Sequence, residues 1–211
     1  MSIFLNNWLR GRMMSAPRGG GGDDFVIPTV YQRVEYLESN GVQRIDTGIT
    51  ASTDIKVVAD IQFVEAPSGI KVAVGSSLNN GNSFGSLSGY YGTTNGVGVS
   101  SLLRKEITYW CEGGTSHLTI DGTTYSGAFS SSAGKFSIFG ISAYAGWSSS
   151  LKAWRVRFYD NNTLIRDFIP CYRKSDGKPG MWDVVSWKFY ENAGSGADFT
   201  VGPDVVQPAT R

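Results

Sequence analysis

Histidine, cysteine and charge are scarce in this sequence of 211 residues. Its single histidine, His117, leaves Ser-His-Asp, Cys-His and multi-histidine metal sites without their usual base or ligands. Its two cysteines, Cys111 and Cys171, each lie in an apolar run, which favours free buried thiols over a disulfide. With a net charge of +1, no overall field attracts nucleic acid or an anionic membrane.

Long apolar runs and paired acidic motifs are lacking as well. The apolar stretch from Ile3 to Leu5 is too short for a signal-peptide core or a membrane span. The nearest pair of acids, Glu35 and Glu38, would point to opposite faces of a strand, whereas a glycosidase needs two carboxylates close together. No phosphate-binding loop or calcium loop of alternating acids is visible. We therefore expect no enzyme, no catalytic residue, no metal site and no cofactor.

The composition instead indicates an all-β protein. Glycine occurs 27 times and aromatic residues make up 13% of the chain, as is typical of turn-rich sandwiches and barrels. In KVVADIQF the apolar residues alternate with polar ones, which predicts a half-buried strand with Val57, Ala59, Ile61 and Phe63 inward. Ten to twelve such short runs, separated by turn signals, predict a two-sheet antiparallel jelly roll.

The densest run of charged and aromatic residues is TLIRDFIPCYRKSDGKPGMWD, residues 163 to 183. Together with the preceding WRVRFYDNN it predicts a hairpin that turns at Asp160-Asn161-Asn162. In this hairpin we expect the charges to lie outside and Arg166 and Asp167 to form cross-strand ion pairs. The inward residues of WRVRFYD are predicted to be Trp154, Val156 and Phe158, with Arg155 and Arg157 outward. Pro170 is expected at a strand end, edge or bulge, and Trp182 and Trp187 are expected to cap the core.

The N-terminal residues 1 to 29 differ in kind from the rest, because four glycines at 19 to 22 uncouple a short apolar peptide from the remainder of the chain. A disordered terminus is one interpretation, and a peptide that docks into a groove on a partner is the other. The apolar side chains favour docking. The predicted anchoring residues are Ile3, Phe4, Leu5, Trp8, Leu9, Arg10 and Arg12.

Several ordered blocks carry a family resemblance: YQRVEYLESNGVQRIDTGI, LTIDG, FSIFGISA, LKAWRVRFYDNNTLIRDFIPCYRKSDGKPGMWD and FYENAGSGADFTVGP. Over residues 30 to 202 the chain resembles LamG-like, concanavalin A-like jelly-roll proteins of gut bacteria and their phages. This resemblance implies two antiparallel sheets, carbohydrate or cell-surface binding, and a place on a virion surface or tail. Residues 203 to 211 would form a C-terminal tail. The chain departs from calcium-dependent lectins because it lacks an evident acidic metal site.

Two functions are expected on these grounds. The first is a phage structural protein, such as a fibre, decoration or receptor-binding module, whose N-terminal peptide holds other virion proteins and which forms a homo-oligomer such as a trimer. The second is a carbohydrate-binding module of a bacterial surface protein. In either case host glycans would stack on exposed aromatic rings, with asparagines fixing the hydroxyls. The candidate glycan-binding residues are Tyr90, Tyr91, Trp147, Asn79, Asn80 and Asn82.

Overall fold

A computed structural model describes residues 26–65, 71–76, 102–128, 134–142 and 145–207, and the backbone of 83–86. These residues form two antiparallel β-sheets and one 3-10 helix, Ala145–Trp147. The predicted all-β, two-sheet class is therefore confirmed. The predicted anchor, Ile3, Phe4, Leu5, Trp8, Leu9, Arg10 and Arg12, lies outside the described residues.

The larger sheet has eleven strands and the smaller has four. The larger contains β1 (Tyr31–Arg33), β2 (Leu37–Asn40), β4 (Ile55–Phe63), β7 (Lys105–Glu112), β8 (Thr115–Ile120), β9 (Thr123–Ala128), β11 (Ser150–Asp160), β12 (Thr163–Arg173), β13 (Pro179–Asp183), β14 (Lys188–Glu191) and β15 (Thr200–Val201). The smaller contains β3 (Ile45–Thr50), β5 (Lys71–Gly75), β6 (Ser83–Ser86) and β10 (Lys135–Ile138). The main path of the larger sheet is β14-β13-β12-β11-β4-β7-β8-β9, and that of the smaller is β3-β10-β5-β6.

The main core lies between the two sheets. In β4 every second residue from Ile55 to Phe63 is buried, which confirms the predicted inward positions of Val57, Ala59, Ile61 and Phe63. Aromatic rings of the two sheets are in contact. Phe136 of β10 packs edge-on against Phe158 of β11, with ring centroids 5.5 Å apart. On the outer face, β4 carries mostly polar residues, namely Lys56, Asp60 and Gln62.

A β-bulge in β11 overturns the prediction that Trp154 points inward. The register of β11 against β4 shifts between Ala153 and Arg155, so that Trp154 does not share the inner face with Val156. Its half-buried ring packs against Tyr36, with centroids 5.2 Å apart, and beneath the Arg104 guanidinium at 4.4 Å. Period-2 alternation predicts the wrong face here because one inserted residue reverses the order.

The predicted hairpin is confirmed, since β11 pairs with β12 around the two-residue turn Asn161-Asn162. The charged side chains of the hairpin and of the following strand β13 do not, however, all lie outside. The side chains of Asp167 and Asp183 are 1% and 0% exposed. The predicted cross-strand ion pairs are present: Arg155 with Asp167 at 2.6 Å, and Arg166 with Asp183 at 3.3 Å.

A second apolar cluster explains why β12 is buried on both faces. Phe168 and Met181 enter the main core, and the neighbouring Ile169 and Trp182 therefore point to the opposite face. There they pack with Ile27 and Cys171, while Tyr31, Val184 and Phe189 lie partly buried around them. Strand β12 thus has five consecutive buried residues. Cys111 and Cys171 are both free thiols, as predicted, but Cys111 is only half-buried.

The carboxylate of Asp183 is the polar centre of this region. Its Oδ1 accepts hydrogen bonds from the backbone N–H groups of Asp167 at 2.8 Å and Val185 at 3.1 Å. Its Oδ2 accepts from the N–H of Ser186 at 3.3 Å and from the Ser186 hydroxyl. One buried side chain therefore joins β12 to the loop that connects β13 and β14.

Pro170 lies within β12, not at a strand end or at the edge of the sheet. It is opposite Met181 of β13, and its carbonyl accepts a hydrogen bond from the N–H of Val34 at 3.1 Å. At this position β12 changes its neighbour on that side from β11 to β1. Proline is tolerated in the sheet here because its missing N–H falls where one ladder ends and the next begins.

The two tryptophans expected to cap the core have different environments. Trp182 is buried in the second cluster, whereas Trp187 is 67% exposed and touches Trp182 only edge-on, at 6.0 Å between centroids. Trp187 ends the β13–β14 loop with φ of 56°, in the left-handed region. The prediction is therefore wrong for Trp187, because the loop conformation directs its ring into solvent.

Replacement of Asp183 by alanine is expected to lower the free energy of unfolding by about 3 kcal/mol, because the buried N–H of Asp167 loses its acceptor and the Arg166 guanidinium loses its ion-pair partner. Chemical denaturation of the two proteins measures the difference. The matched control is Asp198→Ala, which removes an ion pair with Lys178 from a side chain 41% exposed. That control should change stability by no more than about 0.5 kcal/mol. Equal losses in both variants would contradict a special role for Asp183.

Candidate functional site

The outer face of the larger sheet carries a groove of about 560 Å³. It lies where β4 and β7 meet the turn of the β11–β12 hairpin. The lining residues are Thr53, Asp54, Ile55, Lys56, Thr108, Trp110, Cys111, Glu112, Asn161 and Asn162.

The register of four strand pairs places a row of side chains across this face. Tyr159 of β11 is opposite Lys56 of β4, and Trp110 of β7 is opposite His117 of β8. His117 is in turn opposite Ser126 of β9. Val57 of β4 is paired with Tyr109 of β7. In the same register the next two residues, Lys56 and Trp110, are therefore neighbours. Since neighbouring strands are about 4.8 Å apart, the row crosses five strands and spans about 19 Å.

An indole ring and an imidazole ring form the aromatic part of this row. The rings of Trp110 and His117 are stacked, with centroids 4.9 Å apart and an angle of 18° between planes. His117 Nδ1 is 2.8 Å from the Ser126 hydroxyl, which fixes the orientation of the imidazole. The single histidine therefore contributes to an aromatic surface.

Lys56 lies next to Trp110 in this row and is held by two contacts. Its ammonium donates a hydrogen bond to Asn162 Oδ1 at 2.8 Å and lies 4.7 Å from the centroid of the Tyr159 ring. Among the described residues it forms no ion pair with a carboxylate. Its charge is stabilised by an amide and an aromatic face, which leaves it able to donate to a ligand.

The turn that supplies Asn162 is fixed in place. Asn161 and Asn162 have φ of 45° and 63°, which is the type I′ geometry of a two-residue hairpin. The N–H of Asn161 donates to the carbonyl of Asp54 at 3.1 Å, tying the turn to the segment before β4. The amide of Asn162 is therefore already ordered, and a ligand that used it would bind at a lower entropy cost.

The groove combines one flat apolar surface with many hydrogen-bonding groups. The carboxylates of Asp54 and Glu112 are exposed, and neither is in an ion pair among the described residues. Carboxylates accept hydrogen bonds from hydroxyls, and the ammonium of Lys56 donates them. This set is suited to a ligand that has both an apolar face and several hydroxyl groups.

Cys111 does not add a nucleophile to the groove. Burial raises the pKa of its thiol above the ordinary value, and the hydrogen bond with the Tyr109 hydroxyl at 3.2 Å lowers it only in part. The thiol is therefore protonated at neutral pH, and the reactive form is the thiolate. Within the described part of the chain, no group of three His, Cys, Asp or Glu side chains could hold a metal ion.

Of the predicted glycan-binding residues, the structure locates one. Trp147 is half-buried in the 3-10 helix, beside β5 of the smaller sheet, where Lys71 donates to the carbonyl of Gly146 at 3.1 Å. It does not line the groove. The other candidates, Tyr90, Tyr91, Asn79, Asn80 and Asn82, lie outside the described residues.

The groove residues Lys56, Trp110 and Asn162 are absent from the sequence-based candidates. A signal for Trp110 was available: in ITYWCEG the buried positions are Ile107 and Tyr109, which places Trp110 on the polar face of an alternating strand. Asn162 is recognisable from the sequence only as a turn residue. That it meets Lys56 depends on strand register, which the sequence does not specify.

Comparison with protein-family models, curated proteins and solved structures finds no match to this chain. No helix among the residues that the structure describes is both long and apolar enough to cross a membrane.

Asn162→Gly is expected to raise the free energy of unfolding by up to about 1 kcal/mol, because Asn-Gly is the preferred sequence of a type I′ turn. Thermal or chemical unfolding measures this change. Thr163→Gly, one residue further and in β12, serves as the control and should destabilise the protein instead. A clear loss of stability in Asn162→Gly would show that the amide contact with Lys56 outweighs the relief of the left-handed backbone.

Proposed function

We propose that this chain is a non-enzymatic display protein of a phage virion. Its β-sandwich, of the jelly-roll type, binds a surface glycan of the host in the groove, and its N-terminal peptide attaches it to another virion protein. The observation that carries the glycan part is the stacked Trp110–His117 surface beside the hydrogen-bonding groups of Lys56 and Asn162.

A pyranose ring has the two features to which this groove is suited. Its C–H face is apolar and packs on an aromatic ring, while its hydroxyls donate to carboxylates and accept from cations and amides. Trp110 supplies the aromatic surface, and Asp54, Glu112 and Lys56 supply the polar groups. Because carboxylates outnumber the ammonium in the lining, a neutral sugar suits the groove better than an acidic one.

The bonding of the two most buried acids supports a role without catalysis. Asp167 accepts two hydrogen bonds from the Arg155 guanidinium, at 2.8 and 2.6 Å. Asp183 accepts from backbone groups on both of its oxygens. An acid or nucleophile of a glycosidase must face the substrate, whereas these two carboxylates hold strands together.

The virion part of the proposal rests on the sequence. An apolar, arginine-bearing peptide precedes four glycines, a pattern suited to attachment through a flexible link. A carbohydrate-binding module of a bacterial surface protein is the alternative, with the same groove in a different setting. The two differ in what the peptide binds.

Trp110→Ala is expected to weaken glycan binding at least about tenfold, because it removes the stacking surface. The wild-type protein is first applied to an array of bacterial-surface and host glycans, and the strongest responding oligosaccharide is then titrated against each variant. Trp187→Ala is the matched control, since it removes an exposed tryptophan outside the groove. Circular dichroism verifies that each variant is folded.

Trp147→Ala, titrated in the same way, separates the groove from the site predicted from sequence. Loss of binding in Trp110→Ala alone supports the groove. Loss in Trp147→Ala alone would place the glycan near the smaller sheet. No response to any glycan on the array would contradict the glycan part altogether.

Deletion of residues 1 to 25 is expected to prevent incorporation into phage particles while the β-sandwich remains folded. Incorporation is measured by electron-density reconstruction or by pull-down with virion proteins. The control is a variant in which Gly19 to Gly22 are replaced by serines, which retains a flexible link and the anchoring side chains. Unchanged incorporation of the deleted form would move the assembly contacts to the β-sandwich.

A further inference from the structure

Strand β9 ends the larger sheet and has a pairing partner on one side. It is paired with β8 along its whole length, from Thr123 to Ala128, with no shift in register. Within the described part of the chain no strand pairs with its other side. Its sequence, TTYSGA, has no charged residue and no proline.

The opposite end of the same sheet is different. Two of the four residues of β14, Lys188 and Glu191, are charged and exposed. Just beyond β14 the N–H of Ala193 donates to the carbonyl of Arg44, beside the smaller sheet, at 2.8 Å. This end is therefore protected by charged side chains, which β9 lacks.

An edge strand presents unpaired N–H and C=O groups, so it is a template for another strand. Proteins ordinarily block such edges with lysine, proline or a bulge, and β9 has none of these. Threonine and tyrosine also favour strand pairing. An identical strand is a suitable partner, because an uncharged edge meets no repulsion from its own copy.

We propose that two copies of this chain pair through β9, antiparallel and around a two-fold axis, to form one continuous sheet. Outward residues of the two copies lie opposite each other only if one residue is paired with the same residue of the other copy. The two-fold axis then lies between these two identical residues. Centred on Tyr125, this register pairs the tyrosines with each other and Thr124 with Ser126 of the other copy. Tyr125 is 38% exposed, and the pairing would cover it.

The arrangement has a consequence for binding. An axis perpendicular to the sheet leaves both outer faces on the same side, so the two grooves would face one surface together. Two linked weak sites bind a surface that carries many copies of a ligand more tightly than one site does.

The dimer itself does not depend on the proposed glycan binding. It also differs from the trimer expected from the sequence. When an edge strand pairs with the same strand of a second copy, both edges are used, and no third copy can join through β9.

Two double variants of the full chain test the interface and its register. Thr124→Lys/Ser126→Lys places like charges opposite each other, and Thr124→Lys/Ser126→Glu places opposite charges there. Both lose the same hydrogen bonds, Thr124 with Thr119 and Ser126 with His117. Sedimentation velocity and light scattering over a range of concentrations, without ligand, measure association, and circular dichroism verifies folding.

The proposal predicts a wild-type dimer, a dissociation constant raised at least about tenfold in the Lys/Lys variant, and a dimer retained in the Lys/Glu variant. A monomeric wild type, a trimer, or a dimer that persists in the Lys/Lys variant would overturn it. Dissociation of both variants would overturn the register centred on Tyr125. Because no ligand is added, none of these results depends on whether the groove binds a glycan.

Discussion

The structure depends most on the buried carboxylate of Asp183. It lies at the end of β13, where the chain must leave the sheet, and its two oxygens accept the backbone N–H groups of Asp167, Val185 and Ser186. Without an acceptor the N–H of Asp167 would be buried unpaired, which costs more than the hydrogen bond contributes. The same loop holds Trp187 in a left-handed backbone conformation and directs its ring into solvent. One side chain thus determines where β12 and β13 are joined and how the following loop is shaped.

The two halves of the larger sheet differ on the outer face. Around β12 and β13 that face is covered by the second cluster, including Ile27 from the start of the described chain and the buried Trp182. Around β4, β7 and β8 it has no apolar cover among the described residues, and Lys56, Trp110 and His117 form its surface row. The apolar cover and the proposed ligand-binding surface therefore lie on different parts of one sheet. Among the groove-lining residues only Ile55 belongs to the core and Cys111 packs against it, so the outward side chains of the groove do not carry the core.

The sequence predicts the all-β class, the alternation of β4 and the hairpin at Asn161-Asn162 because these features are local. It fails where a non-local contact intervenes. The alternation puts Trp154 on the wrong face because a bulge reverses it, and Asp167 is buried with its carboxylate paired to Arg155 on the adjacent strand. The sequence does not predict the groove for the same reason: Lys56 and Asn162 are 106 positions apart and meet only through the pairing of β4 with β11. Composition and periodicity carry no information on such pairing.

The turn at Asn161-Asn162 joins the fold to the proposed function. Glycine is the preferred second residue of a type I′ turn, yet the chain has asparagine there with φ of 63°. The Asn162 amide contacts Lys56 at the wall of the groove, and the Asn161 N–H ties the turn to Asp54 on the same wall. The local departure from the best turn sequence therefore falls beside the groove that we propose as the binding site.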